Sequence, residues 1–273
     1  MKRLTKWGLS LTVALIAVVG GFTTAQAATK TKDLPEYTTY VRTKRAMTIG
    51  AKEKTKTGYK TIHIKKNRLL AVNETETRGK TFKEYATFTL GDVHYAKVKR
   101  VTYSRKFIRF NTKNFKYIKT LRAPIRTQLL RQGKGFVMST AWINRPTYSP
   151  VILVTLDNYL QTYSKAKLAK IDEHWTLPTA DGDFAKVKPT DTVKISKLTK
   201  RGTTYTIDYK RPLKGFADQK IGKHHYRLTI KQLGRQQQNY TPIDDTYDTA
   251  ASWVNYTINA KPYFAGSAEW GLD

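Results

Sequence analysis

Hydrophobic and polar positions alternate with a period of two along several short runs of the chain. The stretch GYKTIHIKKNRLLAV, residues 58–72, runs from a glycine through alternating β-forming residues to a basic turn. The stretch GTTYTIDYKRPL, residues 202–213, repeats this design. Because successive side chains of a strand point to opposite faces, the alternation indicates strands with one buried face. The pattern therefore predicts an all-β protein with almost no helix between residues 37 and 243.

A short motif suggests that the strands belong to repeated units. It consists of an apolar residue, Thr, Leu or Ile, two free positions and another apolar residue. Its copies are FTLGDV at 88–93, VTLDNY at 154–159 and LTIKQL at 228–233. Each copy follows a β-like run and lies downstream of a basic strand candidate, which indicates three divergent units. The predicted units are 37–110, 113–174 and 184–243, with Thr89, Thr155 and Thr229 at equivalent positions. One larger all-β domain with coincidental similarity is the alternative.

The first 27 residues have the design of a secretory signal peptide. A basic segment precedes an apolar run from Leu9 to Phe22, and an Ala-x-Ala site ends at Ala27. The run is shorter than the about 20 residues that span a bilayer, so cleavage after Ala27 is expected and a retained anchor is the alternative. An exported chain without cysteine favours a Gram-positive host that does not rely on disulfides. We expect an extracellular protein associated with the cell wall.

Basic residues dominate the predicted mature chain. Residues 28–243 contain 46 Lys and Arg but 15 Asp and Glu, a net charge of +31. Residues 244–273, an aromatic tail, have one basic and five acidic residues, a net charge of −4. Solubility alone requires much less charge in a domain of this size. The charge therefore favours an anionic polymer as the partner.

The units resemble the SH3-like repeats of surface proteins exported by lactobacilli and related Gram-positive bacteria. The resemblance rests on a basic opening strand, a Tyr- and Thr-rich hairpin, and a closing apolar-Thr-Leu strand followed by a basic segment such as YAKVKRVTYSRK. The hairpin of the second unit and residues 244–273 depart from the pattern. The resemblance implies about three tandem five-stranded barrels and a role at the cell envelope. It implies no catalytic residues.

The sequence contains no pattern that predicts catalysis or a metal site. The five histidines lack the spacing of a zinc helix, and the adjacent His224 and His225 would point to opposite faces of a strand. Neither G-x-S-x-G nor S-x-x-K occurs in a strand-to-helix setting, and acids are too sparse to nominate a carboxylate pair. Asp181 and Asp183 have the residue type to begin a cation loop, but a plain turn is favoured because the rest of the loop motif is missing. We expect a non-enzymatic protein without cofactor or metal; a peptidoglycan-active hydrolase with an unrecognised site is the alternative.

Cations and aromatic residues interleave most densely in YAKVKRVTYSRKFIRF, residues 95–110. The predicted polyanion-binding residues are Lys97, Lys99, Arg100, Arg105, Lys106 and Arg109. Tyr95 and Tyr103 are candidates for stacking on a glycan, although burial in the core is the alternative for any aromatic residue. The expected partner is teichoic acid or peptidoglycan, with further contact to a membrane surface or a host glycan if the protein is an adhesin. The export signal argues against a specific nucleic acid, and we expect a monomer.

Overall fold

Short antiparallel strands account for most of the secondary structure. The structure is a computed structural model. It describes residues 31–35, 37–136, 148–168, 187–214, 216, 218–242 and 247–272. With 58% strand and 5% helix, the all-β prediction is confirmed. The helices of the described residues are two single turns, α1 (Tyr95–Val98) and α2 (Lys165–Leu168). The predicted signal peptide, as well as Asp181 and Asp183, lies outside the described residues.

Eight strands between residues 40 and 118 form two antiparallel sheets. In chain order they are β1 (Tyr40–Thr43), β2 (Met47–Thr55), β3 (Gly58–Ile64), β4 (Leu69–Arg78), β5 (Lys83–Thr89), β6 (Val101–Tyr103), β7 (Ile108–Arg109) and β8 (Phe115–Ile118). One sheet has the order β3-β2-β6 and the other β7-β5-β4-β1-β8. Their apolar faces share one core, in which the rings of Phe88, Phe110 and Phe115 pack with centroids 4.6 to 6.2 Å apart.

The remaining strands form a single nine-stranded sheet. They are β9 (Leu129–Gln132), β10 (Val151–Val154), β11 (Tyr159–Tyr163), β12 (Asp191–Arg201), β13 (Thr204–Tyr209), β14 (Gln219–Gly222), β15 (His225–Pro242), β16 (Tyr247–Ile258) and β17 (Lys261–Leu272). The order is β13-β12-β11-β10-β9-β17-β16-β15-β14, and β13 also pairs with β15. That last pairing closes eight strands into a barrel. Side chains fill a barrel of this size, and here they include the buried Tyr205, Tyr209 and Tyr263.

The barrel joins segments that the repeat motif had assigned to different units. Strands from the ranges 113–174, 184–243 and 244–273 pair within the one sheet. This is the arrangement that a single larger domain predicts for that part of the chain, and residues 244–273 supply two of its strands. Thr89 ends β5, Thr155 follows β10, and Thr229 lies inside β15.

A polar joint connects the N-terminal sheets to the barrel. The His94 amide and its Nδ1 lie 2.9 and 2.7 Å from the two carboxylate oxygens of Asp157. The His94 ring also stacks on Tyr159, with centroids 4.0 Å apart. Next in sequence, the Tyr95 amide donates to the buried Gln161 Oε1 at 2.7 Å. These contacts fix the start of α1, and with it the first residue of the predicted binding segment.

Candidate functional site

Two basic turns meet at one end of the N-terminal sheets, around the buried Thr43. Its hydroxyl donates to the Lys65 carbonyl at 2.7 Å and accepts from the Arg68 amide at 2.9 Å. Its own amide donates to the Arg68 carbonyl at 3.0 Å, and its carbonyl accepts from the Asn67 amide at 2.7 Å. Thr43 is 2% exposed, so these bonds hold the 65–68 turn against the end of β1 without competition from bulk water at the hydroxyl.

A third basic turn, residues 112–116, closes on the same end. The Lys44 amide donates to the Asn114 carbonyl at 2.8 Å, and Lys44 Nζ donates to the Thr112 carbonyl at 2.7 Å. The antiparallel pairing of β1 with β8 places Arg42 directly opposite Lys116. Side chains opposite each other in a sheet share a face, so the pairing itself brings two cations together.

The three turns place eight cations at this end, which we call the cationic end. Its members are Arg42, Lys44, Arg45, Lys65, Lys66, Arg68, Lys113 and Lys116. All are exposed except Arg42, which is half-buried. Residues 42–45, 65–68 and 112–116 contain no Asp or Glu, and no ion pair links these cations to another described residue. Crowded like charges repel, so a polyanion that bridges these cations would relieve the electrostatic repulsion that is present in the free protein.

The arginines of the predicted binding segment have a different environment. Arg100 Nη2 lies 3.3 Å from a carboxylate oxygen of Glu53, and Arg109 Nη1 lies 2.7 Å from one of Asp33. Arg105 makes a two-pronged contact with Glu74, which lowers the pKa of that carboxyl. Half of the six predicted polyanion-binding residues are therefore balanced by carboxylates of the chain itself.

Arg105 and Arg109 also belong to a stack on the surface of the five-stranded sheet. The order is Arg105, Phe107, Arg78, Tyr85 and Arg109. Successive guanidinium carbons lie 4.4 to 5.5 Å from the ring centroids. Such cation–π contacts stabilise partly desolvated cations, and Arg78 also pairs with Glu76. The stack accounts for the alternation of Arg105, Phe107 and Arg109 in the sequence as packing within the fold.

The predicted lysines and tyrosines lie nearby with fewer partners. Lys97 lies in α1, and Lys99 Nζ lies 5.4 Å from the Tyr95 ring centroid. Lys106 Nζ donates to Thr48 Oγ1 at 2.5 Å. The Tyr103 hydroxyl accepts from the Leu90 amide at 3.1 Å while 42% of the residue stays exposed, whereas Tyr95 is half-buried. The assignment of these residues to polymer binding stays a prediction.

The cationic end was missed as a site because its members are far apart in sequence. The segments VRTKRAM at 41–47, KKNR at 65–68 and KNFKYIK at 113–119 are each short, and no repeat or spacing in the sequence links them. A usable signal was present. Each of the three turns contains two or more cations and no acid, and each adjoins a predicted strand, where hairpin pairing brings turns to a common end.

The barrel contributes a cleft of about 480 Å³ beside β14 and the turn after β16. Its lining residues are Asp218, Gln219, Thr229 and Asn259. Burial raises the pKa of Asp218, whose two oxygens accept from the Tyr209 hydroxyl and the Leu213 amide. Asp218 is the single carboxylate among the lining residues.

A second carboxylate, that of Asp191, has all of its hydrogen-bond acceptor positions occupied. Asp191 accepts from both terminal nitrogens of Arg211 and from the amides of Thr192 and Lys214. The Arg211 bonds lower the pKa of Asp191 to about 2. Four bonds use the acceptor capacity of a carboxylate, so Asp191 has no position left for a substrate proton. Within the described part of the chain, no group of three or more His, Cys, Asp or Glu is arranged to hold a metal ion.

Comparisons with known proteins found no match for this chain among protein-family models, curated proteins or solved structures. The described residues also include no helix that is both long and apolar enough to cross a membrane.

Proposed function

We propose that the protein is a secreted, non-enzymatic binding protein that attaches to an anionic polymer of the cell envelope through the cationic end. Teichoic acid is the proposed ligand, with peptidoglycan as the second wall polymer to test, and the attachment suits an adhesin at the wall of a Gram-positive cell. The observation that supports the proposal is the gathering of eight cations, without a described carboxylate partner, by the bonds of Thr43 and Lys44.

The physical basis is the release of counterions from a charged polymer. Each Lys or Arg that neutralises a phosphate of a single-stranded polyanion contributes about 0.7 to the slope of log affinity against log salt. The screening length at physiological salt is about 8 Å, so charges must lie close together on the protein to act on one polymer segment. The three turns of the cationic end meet this condition, since hydrogen bonds join each of them to Thr43 or Lys44.

The test is retention of the mature protein on purified walls, with and without teichoic acid, between about 50 and 200 mM salt. A variant with Lys65→Gln, Lys66→Gln and Arg68→Gln should bind more weakly, with a slope smaller by about 2 because three contacts are lost. The matched control is Lys194→Gln, Lys220→Gln and Lys223→Gln, which removes the same charge from exposed barrel positions and should bind as the wild type does.

A third variant tests the segment that the sequence favoured. Lys97→Gln, Lys99→Gln and Lys106→Gln removes the three predicted lysines without breaking an ion pair of the described residues. If this variant loses retention and the 65–68 variant does not, the site lies around α1. Undiminished binding to stripped walls at about 0.5 M salt, where charges are strongly screened, would assign the ligand to peptidoglycan held by an uncharged groove.

The resemblance to SH3-like repeats supports the same class of function. We propose that residues 37–110 are an SH3-like module. We propose further that the whole chain, with the basic segments of its barrel, is a wall-binding protein of the type that carries such modules. A hydrolase is not proposed, because the described cleft offers Asp218 without a second carboxylate across it, and glycan hydrolysis requires such a pair.

A further inference from the structure

The hairpin of β4 and β5 extends beyond the sheet to which it belongs. At the base of the hairpin, β4 pairs with β1 through Leu69 to Ala71, and near its distal end β5 pairs with β7 at Tyr85 and Ala86. Beyond those contacts the two strands pair with each other. Every residue from 77 to 83 is exposed. We call residues 78–83, RGKTFK, the hairpin tip.

An aromatic ring lies at the hairpin tip without a packing partner that would bury it. Phe82 is 78% exposed. Its φ is 47°, and its amide donates to the Gly79 carbonyl at 3.1 Å, which closes the turn. A left-handed conformation is unusual for a bulky residue and is sustained here by a tight turn in which a glycine or asparagine would fit more easily. A turn position that would favour a small residue therefore holds a large apolar one in water.

Cations flank this ring. Arg78, Lys80 and Lys83 are exposed, and the hairpin tip contains no acid. Arg78 pairs with Glu76, whereas Lys80 and Lys83 have no ion pair with a described residue. An aromatic ring with adjacent cations matches the two layers of an anionic bilayer surface, because the ring enters the acyl boundary while the cations remain among the head groups.

We propose that the hairpin tip is a membrane contact that inserts Phe82 into the interface of an anionic lipid bilayer. The tip is convex, and a convex apolar point suits a deformable surface, which closes around it. A folded partner would have to supply a matching pocket. The cations on both sides of Phe82 give the charge complementarity that an anionic bilayer requires, and the proposal does not depend on the cationic end.

The position of the hairpin tip is compatible with wall binding at the same time. β4 begins next to Arg68 in the cationic end and finishes at Arg78 in the hairpin tip. Ten residues of strand, each with a rise of about 3.3 Å, separate the two ends by about 30 Å. A molecule attached to the bilayer by the hairpin tip would therefore hold the cationic end away from the membrane surface.

The first test is the binding of the full mature chain to vesicles with equal parts of phosphatidylglycerol and phosphatidylcholine. Phe82→Ser should lower the partition coefficient about tenfold, since the burial of one aromatic side chain is lost. Lys80→Gln with Lys83→Gln should lower it by about 10- to 30-fold on these vesicles and leave binding to pure phosphatidylcholine unchanged. Tyr37→Ser is the control, because Tyr37 is a 93% exposed aromatic in a segment, residues 33–41, that contains no Lys or Arg.

The second test uses the absence of cysteine in the chain. Phe82→Cys provides a single site for an environment-sensitive dye, which should shift to the blue when anionic vesicles are added. The same dye on Tyr37→Cys should not shift. A dye that stays in water at both sites, or vesicle binding that survives Phe82→Ser, would overturn the proposal.

Retention on walls separates this proposal from the proposed function. Phe82→Ser should be retained as the wild type is, because the hairpin tip lies at the opposite end of β4 from the cationic end. If Phe82→Ser loses wall retention and the wild type does not bind vesicles, the ring contacts a glycan and the membrane proposal is wrong. Unchanged thermal unfolding confirms that each exposed variant has folded.

Discussion

Replacing Thr43 with Val tests whether the cationic end depends on the geometry of its turns. Valine keeps the shape of the side chain and removes the hydroxyl. The Lys65 carbonyl and the Arg68 amide then lose partners at 2.7 and 2.9 Å, while the two backbone bonds of Thr43 to the same turn remain. The substitution should therefore loosen the 65–68 turn without removing a charge.

The expected loss of stability follows from the two groups left without a partner. Leaving a buried polar group unsatisfied costs about 1–3 kcal/mol, and the lower part of this range applies because water can reach the exposed residues 65 and 68. We expect a decrease of about 1–2 kcal/mol in the free energy of unfolding, or about 2–8 °C in Tm for a chain of this size. Thr61→Val is the control, because Thr61 is exposed on β3 and surface changes stay within about 0.5 kcal/mol.

The effect on binding has a distinct signature. Cations on a loosened turn must be ordered when the polymer binds, at about 0.5–1.5 kcal/mol for each immobilised side chain. Retention of Thr43→Val on walls should weaken about 3- to 10-fold at low salt, while the salt slope stays at the wild-type value because the number of cations is unchanged. If Thr43→Val is less stable but binds like Thr61→Val at every salt concentration, the geometry of the turn does not matter for binding.

Two further predictions concern the barrel. Asp191→Asn should lower the free energy of unfolding near neutral pH by about 1–2 kcal/mol, after allowing for solvent screening of the exposed Arg211. Because Arg211 lowers the pKa of Asp191 to about 2, this stabilisation is present above about pH 4 and is lost as the pH falls towards 2. Urea unfolding across that range should show the free energies of unfolding of the wild type and of Asp191→Asn becoming equal. Gly266→Ala would place a Cβ 1.9 Å from the Ser252 carbonyl oxygen and should cost about 1–3 kcal/mol; Gly222→Ala, where the new atom meets only ordinary contacts, should unfold at the wild-type temperature.

Local alternation was enough to predict individual strands. The run at 58–64 is β3, and the run at 204–209 is β13, whose side chains alternate between half-buried and buried. β13 buries every second side chain, as the alternation predicts, whereas β3 buries Ile64, half-buries Ile62 and exposes its other residues. The near absence of helix in the described residues follows from the same pattern.

Strand pairing across long separations was not predictable from that alternation. The barrel closes through β13 with β15, and through β9 with β17, whose paired residues Arg131 and Phe264 are far apart in the chain. A period of two specifies which face is buried but does not identify the neighbouring strand. For this reason the repeat motif predicted separate units where the structure has one continuous sheet.

Which cations have a carboxylate partner also depends on the fold and not on the density of charge in the sequence. Residues 32–120 include six described acids, and four of them, Asp33, Glu53, Glu74 and Glu76, pair with arginines at or near the predicted segment. The few carboxylates that the fold brings within reach pair with the arginines of this dense run of cations, so half of its six predicted binding residues are balanced when the chain has folded. The cationic end has no acid in its three turns. In a chain with this excess of Lys and Arg, the location of the scarce acids therefore determines which cations stay available to a polyanion, and that location depends on strand pairing.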